Sequence, residues 1–162
     1  MQLKSKVTGL IASVLIISNS FSQVSNVQNI QPLLQKTSHN KDFTNVVVEF
    51  HKRFSNAENV TWYSVNKHFG ATFTINDLTY RVLLHRKGRL IYKVTYGKEK
   101  LLPVNIRKMV KGHYVEYLIT AAFLVEEDKR EIWVINLEDD SRYVTVSVEN
   151  NEMMETVNVK RK

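Results

Sequence analysis

The sequence predicts an α+β fold with the element order α-β4-α-β4. It would consist of two units of one helix followed by an antiparallel meander, with the helices packed on one face of antiparallel sheet. Apolar and polar residues alternate in eight short segments after position 60. Polar turns separate these segments. A segment with helical periodicity precedes each set of four strands.

The first unit opens with a helix predicted over residues 44–54. Its apolar stripe recurs at helical spacing and consists of Val47, Phe50, His51 and Phe54. The strands that follow are expected at residues 61–66, 69–75, 78–84 and 90–96. The turn between the last two contains Gly88, which can adopt positive φ in a tight hairpin.

The second unit repeats this pattern. Pro103 suits the first turn of its helix, since proline has no N–H to leave unpaired there. Gly112 lies where that helix could stop. The apolar face between them consists of Ile106, Met109, Val110 and His113. Strands are expected at residues 117–125, 131–137, 143–148 and 153–159.

The N-terminus has the pattern of a cleaved secretory signal peptide over residues 1–22. A short basic stretch precedes an apolar run at residues 7–18, which is too short to span a bilayer comfortably. Small residues follow, and cleavage after Ser22 would leave Gln23 as the new N-terminus. We therefore expect a periplasmic or extracellular protein with no transmembrane segment in its mature chain.

After the signal peptide we expect a polar arm at residues 23–43, one domain at residues 44–159 and a basic tail at residues 160–162. The chain contains no cysteine, so no disulfide can hold the domain closed and its stability must come from core packing. The predicted core residues are Phe50, Phe54, Val60, Trp62, Phe73, Tyr80, Tyr92 and Trp133.

Charge is distributed unevenly along the chain. Residues 41–114 contain 14 Lys and Arg against 5 Asp and Glu, a net charge of +9. Residues 115–159 contain 3 Lys and Arg against 11 Asp and Glu, a net charge of −8. The polarity could offer a basic face to an acidic partner, or the two halves could attract each other. Because exported proteins rarely meet nucleic acid, we expect no nucleic-acid partner.

The residues between the first helix and the first strand have the pattern F-x-x-A-x-x-V-x-W, formed by Phe54, Ala57, Val60 and Trp62. Further support comes from Leu102-Pro103 and from Tyr117, Ile119 and Ala122. Over residues 44–159 the chain resembles the exported PepSY-like domains of bacterial envelopes, which are related to the β-lactamase-inhibitor-like fold.

This resemblance implies a small α+β domain of helix-plus-sheet repeats in which Trp62 is a core residue. It also implies that the protein binds or inhibits an envelope enzyme. The founding inhibitors have disulfides, which this chain cannot form. Their contact residues are not recognisable here, so none is transferred.

No motif for catalysis, metal binding or cofactor binding is present. The histidines do not pair at metal-ligand spacing, and there is no HExxH motif. The acidic turns at residues 126–128 and 138–140 lack the spacing of a calcium loop. We therefore expect no cofactor, no metal site and no enzymatic activity.

Two sets of residues are candidates for binding. The first set is three tyrosines interspersed with cations, namely Tyr80, Tyr92 and Tyr96, an arrangement found in sugar-binding and nucleic-acid-binding surfaces. Because they alternate in step with the apolar residues of their strands, we assign them to the core face of the sheet. The other set is the basic hairpin and its return strand, and this candidate binding patch consists of Arg86, Lys87, Arg89 and Lys93.

The predicted function is that of an exported, non-enzymatic module that binds or inhibits an envelope protein or polymer. Two alternatives stay open at this point. One is a small envelope hydrolase with a histidine and a carboxylate, and the other is a structural or stress-related envelope protein without a defined ligand. The sequence does not identify the partner or the oligomeric state.

Overall fold

Eight strands, joined in chain order, form a single antiparallel sheet in the computed structural model, which describes residues 41–161. The strands are β1 (Glu58–Val65), β2 (His68–Ile75), β3 (Leu78–His85), β4 (Leu90–Gly97), β5 (Leu118–Glu127), β6 (Arg130–Glu138), β7 (Arg142–Glu149) and β8 (Glu152–Lys160). The helices are α1 (Lys41–Arg53), before β1, and α2 (Val104–His113), between β4 and β5. A short 3-10 helix (Glu99–Leu101) precedes α2.

The predicted signal peptide, its cleavage site between Ser22 and Gln23, and the arm up to residue 40 lie outside the described residues, as does Lys162. Neither helix in residues 41–161 combines the length and the apolar character needed to cross a membrane.

The prediction of an α+β fold with two helix-plus-meander units is wrong. β4 pairs with β5 from Tyr92↔Glu127 to Gly97↔Ala122, so the strands form one continuous sheet in a mostly β protein. Separate meanders would leave the N–H and C=O groups of these two strands unpaired at inner edges, and joining the strands satisfies them. Alternation within a segment does not reveal which other strand pairs with it, so the sequence pattern could not show the connection.

Both helices pack on the same side of the sheet, which we call the helix face. Directly opposed residues share a face, and the row Ala71, Val82, Lys93 and Glu126 carries this face from β2 to β5. The cluster under α1 consists of Phe43, Val46, Phe50, Phe69, Ala71, Phe73, Val82 and Leu84. The cluster under α2 consists of Leu102, Ile106, Val110, Ala122, Trp133, Ile135, Leu137, Val144, Val146 and Val148.

The buried stripe of α1 differs from the predicted one. Phe43, Val46 and Phe50 are its buried residues, whereas His51 is exposed. Phe43 precedes the predicted start of the helix and adds an apolar side chain one turn earlier. The i, i+3, i+7 stripe that it begins rotates the buried face away from His51.

The tyrosines assigned to one core face lie on opposite faces. Tyr80 opposes Phe73 on the helix face, whereas Tyr92 opposes Leu83 and Tyr96 opposes Thr79 on the other side, which we call the open face. A register shift between Leu83 and Leu84 separates the two sets. Since side chains alternate between the two faces, a one-residue shift in pairing exchanges the faces of all the side chains that follow in the strand. Counting every second residue through a hairpin turn does not reveal such a shift.

Candidate functional site

The open face carries an apolar cluster that contains no helix residue. Its buried members come from β4, β5 and β6 and are Val94, Phe123, Val125, Ile132 and Val134. Tyr92, Tyr96 and Ala121 are partly buried and pack against them. The strands in the middle of the sheet are therefore apolar on both faces, although both helices lie on only one.

Exposed apolar side chains also gather on the open face. Five of the eight large exposed apolar residues in residues 41–161 lie there by register, namely Val65, Leu118, Tyr143, Met154 and Val159. The other three lie on the helices or in the loop before β5. Exposed apolar side chains that share one face are typical of an interaction surface.

Tyr63 and Gly70 form a cross-strand pair in the β1–β2 half of this face. A Cβ atom added to Gly70 would overlap with the ring carbons Cε2 and Cζ of Tyr63. The phenol ring therefore lies directly on the glycine, and Gly70 is buried beneath it. Glycine in the middle of a strand permits such a close approach.

Arg81 lies between two tyrosine rings on the open face. Its Cζ atom is 6.0 Å from the ring centroid of Tyr63 and 5.8 Å from that of Tyr96. Phe123 contacts the Tyr96 ring edge to face, at a centroid distance of 5.4 Å. The two tyrosine rings attract the Arg81 guanidinium by weak cation–π interactions.

Two polar atoms of this group, Arg81 Nε and Tyr63 Oη, are buried and have no hydrogen-bond partner in the described chain. Burial raises the pKa of the Tyr63 hydroxyl well above its ordinary value, while the charge of Arg81 acts in the opposite direction. Burial likewise raises the pKa values of Tyr92 and Tyr96. The tyrosines are therefore neutral hydroxyls at ordinary pH.

His68 and His85 form a second cross-strand pair on the open face, with ring centroids 5.6 Å apart. His68 Nδ1 is buried without a partner in the described chain, and His85 Nδ1 accepts a hydrogen bond from the Lys87 N–H. Desolvation lowers the pKa of His85, and the charge of His68 acts in the same direction.

The β5–β8 half of the open face is acidic, and Arg130 and Glu149 form an ion pair where β6 begins and β7 ends. Arg130 donates from Nε to Glu149 Oε1 at 2.7 Å and from Nη2 to Glu149 Oε2 at 2.9 Å. The hydrogen bond from Arg130 holds the pKa of Glu149 below its ordinary value. Further along the same two strands, Thr145 Oγ1 donates to Asn136 Oδ1 at 3.1 Å.

The predicted binding patch is divided between two places. Arg86, Lys87 and Arg89 are exposed at the β3–β4 hairpin. Gly88 is buried beside Glu49 of α1, with a φ of 80°, so the tip of the hairpin contacts the first helix. Arg86 and Lys87 line a shallow groove with residues of α1.

Lys93, the fourth residue of the patch, is separate from the hairpin tip. It lies on the helix face, where its Nζ forms an ion pair with Glu126 Oε2 at 2.7 Å. Its charge is therefore neutralised within the domain by a residue of the acidic half. The patch stays a prediction for its three hairpin residues.

The residues predicted as core occupy different depths. Phe50, Phe73 and Trp133 are buried, and the others are partly exposed. Trp62 lies on the helix face and meets the ring of Phe50 at a centroid distance of 4.9 Å. The partly exposed members are Phe54, Val60, Trp62, Tyr80 and Tyr92, the last of them on the open face.

No cluster of three or more His, Asp or Glu side chains within residues 41–161 could hold a metal ion. The acidic turn after β6 is held by its own hydrogen bonds, because Asp139 Oδ1 accepts from the N–H groups of Ser141 and Arg142, each at 2.7 Å. The hydrogen bond from the Ser141 N–H is the main reason that the pKa of Asp139 is lowered.

Arg81, Tyr63 and Gly70 were not among the residues predicted to form a site. A signal for them exists in the sequence, since Gly70 interrupts the strand segment FGATFTI and the preceding strand supplies an aromatic ring. Placing Arg81 between two tyrosines, however, requires the register of β1 through β4.

The sequence matches no protein-family model and no curated protein. The solved structures that are similar in fold include three of Bacteroides proteins. A DUF2874 family protein from Bacteroides ovatus ATCC 8483 is 21% identical with a TM-score of 0.60, over 72% of this chain and 85% of that one. A BLIP-like protein from Bacteroides fragilis NCTC 9343 is 13% identical with a TM-score of 0.63, over 74% of this chain and 87% of that one.

The third structure is a candidate periplasmic protein from Bacteroides eggerthii DSM 20697. It is 13% identical with a TM-score of 0.61, over 72% of this chain and 86% of that one. The resemblance expected from Phe54, Ala57, Val60 and Trp62 is thereby confirmed at the level of the fold: this chain has the fold shared by DUF2874 family proteins and a BLIP-like protein.

Proposed function

We propose that this protein is an exported, non-enzymatic binding module that binds a protein of the bacterial envelope through the open face of its sheet. One observation carries the proposal. The helices cover one face of the sheet, while the other presents tyrosines, Arg81 and exposed apolar side chains. Tyrosine and arginine are enriched where protein interfaces gain most of their binding energy.

The similar structures support a place in the envelope and a role in binding. One is described as a candidate periplasmic protein and another as BLIP-like. The signal-peptide pattern at residues 1–22 favours the same compartment for this chain.

The arrangement of titratable groups favours binding over hydrolysis. A histidine that acts as a general base is normally oriented by a hydrogen bond to a second group, often a carboxylate. No hydrogen bond joins His68 or His85 to a carboxylate among residues 41–161, and the contact between them is with each other.

Site-specific photo-crosslinking tests the proposal. A benzoyl-phenylalanine in place of Tyr92 presents the crosslinker on the open face, and one in place of Val104, which is 60% exposed on α2, is the matched control on the helix side. In cells that produce the protein, we expect a discrete protein adduct from position 92 and none from position 104. Adducts from position 104 alone would contradict the proposal.

The hairpin residues Arg86, Lys87 and Arg89 are a second candidate contact because they are exposed and basic. Reversing the three charges is expected to weaken recovery of the partner from envelope extract. Unchanged recovery would remove this patch while leaving the open face in place.

A further inference from the structure

Arg81 has no ion pair within the described chain. The four ion pairs of residues 41–161 involve Lys52, Lys93, Lys111 and Arg130. Strands β1 to β4 contain only one carboxylate, Glu58, and it forms no ion pair with Arg81. The guanidinium therefore lies in a half of the sheet that supplies no counter-charge.

Arg130 provides an internal comparison on the same face. Its guanidinium donates two hydrogen bonds to the Glu149 carboxylate, the geometry in which arginine binds a carboxylate most strongly. Arg81 has the same side chain and no such partner. Its main chain is paired on both sides, by β2 and β4, so the exposed part of this partly exposed residue is its side chain.

The unpartnered atoms around Arg81 define what a ligand must supply. Arg81 Nε is a donor, and arginine has no acceptor. The neutral hydroxyl of Tyr63 can donate as well. Buried donors without partners are costly. Both atoms are fully covered, so the side chains would have to turn outwards to meet a docked group, and a group that offers acceptor oxygens and negative charge would then satisfy both.

We propose that Arg81 binds a carboxylate side chain, aspartate or glutamate, of the protein that docks on the open face, with the Tyr63 hydroxyl as a second donor. This inference rests on the proposed function, because the docking protein delivers the carboxylate. The aromatic rings on either side limit access to water and strengthen the charge-assisted hydrogen bonds.

A protein carboxylate fits better than a glycan or a lipid surface. Sugars stack on open aromatic faces, whereas the Tyr63 ring lies on Gly70 and Arg81 lies beside both the Tyr63 and the Tyr96 rings. Anionic lipid surfaces attract clusters of several exposed cations. Arg81 is a single cation among tyrosines.

Titration of the mature chain with N-acetyl-aspartate amide, followed by nuclear magnetic resonance, tests this site, and N-acetyl-asparagine amide is the neutral isosteric probe. We expect the aspartate probe to shift the Arg81 Nε–H and Tyr63 ring resonances and the asparagine probe to leave them unchanged. Equal shifts with both probes, or none with either, would overturn the proposal. So would shifts caused only by polygalacturonate or by phosphatidylglycerol vesicles.

Two variants of equal charge separate this site from a general charge effect. R81Q is expected to abolish the shifts of Tyr63, and R53Q, at the exposed end of α1, to preserve them. R81K keeps the charge without the planar fork and should retain only part of the response. Circular dichroism tests whether each variant is folded. If R81Q does not fold, R81K takes its place in the comparison.

The same variants distinguish this inference from the proposed function. The protein captured by the crosslinker at position 92 is then used as the binding partner. R81Q should weaken its binding about tenfold or more, and R53Q, on α1, less than about twofold. Capture from the open face with no effect of R81Q would overturn the role of Arg81 alone. A response to the aspartate probe with no capture would overturn the protein partner and leave the carboxylate site.

Discussion

The ring of Tyr63 lies directly on Gly70, its antiparallel neighbour in the β1–β2 pair. Tyr63 belongs to the edge strand β1, and its ring also lies beside the Arg81 guanidinium of β3. The position of the candidate site therefore depends on the absence of a side chain at residue 70.

Replacing Gly70 by alanine is expected to displace the Tyr63 ring and to lower the free energy of unfolding by about 1–3 kcal/mol, because the added methyl group overlaps with ring carbons. Chemical denaturation measures the loss. Gly112→Ala in α2 is the control, since no atom lies within 4 Å of the added Cβ. That change should leave stability unchanged or raise it by up to about 1 kcal/mol. Equal effects of both variants would contradict the packing of Tyr63 on Gly70.

Phe50 is the central packing contact between α1 and the sheet. Its ring meets the rings of Trp62 and Phe73 at centroid distances of 4.9 and 5.0 Å, and the residue is fully buried. Phe50→Ala should therefore lower the free energy of unfolding by about 3–5 kcal/mol. Val48→Ala on the exposed side of α1 should change it by less than about 0.5 kcal/mol. Comparable losses in the two variants would mean that the helix packs through another face.

The open-face tyrosines should give the domain a stability that disappears in alkali. Burial raises the pKa values of Tyr63, Tyr92 and Tyr96 above that of an unfolded tyrosine, so the folded state keeps protons that the unfolded state loses. Their contribution is complete below the ordinary tyrosine pKa near 10 and is lost as pH rises towards the folded pKa values.

Phenolate absorbance measures this behaviour. Part of the tyrosine absorbance should change only at a pH where the protein also unfolds. Tyr63→Phe identifies the share of that residue's buried hydroxyl in the late signal. If all seven tyrosines ionised together near the ordinary pKa, the open-face rings would not be buried.

The Arg130–Glu149 pair should give stability that disappears in acid. Hydrogen bonding to Arg130 holds the pKa of Glu149 below that of an unfolded glutamate, so the unfolded state takes up a proton first as pH falls. The contribution is present above the ordinary glutamate pKa and is lost as pH falls through the lower folded value. Glu149→Gln should lower stability by about 1 kcal/mol at neutral pH and by less in acid.

Denaturation curves at several pH values test this prediction. The control is Glu152→Gln, which removes an exposed carboxylate of β8. A loss for Glu149→Gln that is the same at neutral and acidic pH would contradict the ion pair.

The positions of several strands could be predicted because apolar residues recur at every second position. In β2, Phe69, Ala71 and Phe73 face the helices, and the polar turn at Asn76-Asp77 ends the strand. The strands assigned from such patterns overlap the observed ones. What alternation does not contain is strand pairing, so the joining of β4 to β5 into one sheet was missed.

The candidate site depended on the same missing information. The residues of the hairpin patch were found because they are consecutive and charged, whereas the Arg81 group comes from β1, β2, β3 and β4. One shift of register, between Leu83 and Leu84, decides that Tyr92 and Tyr96 lie on the open face while Tyr80 faces the helices. Local sequence does not show where such a shift occurs.

Methyl resonances report directly on which face binds. Val94, Val125, Ile132 and Val134 carry methyl groups on the open face, and Val46, Val110 and Val146 carry them under the helices. On titration with the protein captured from position 92, we predict shifts concentrated in the first set. Shifts concentrated in the second set, with the open-face methyl groups unchanged, would contradict binding through the open face.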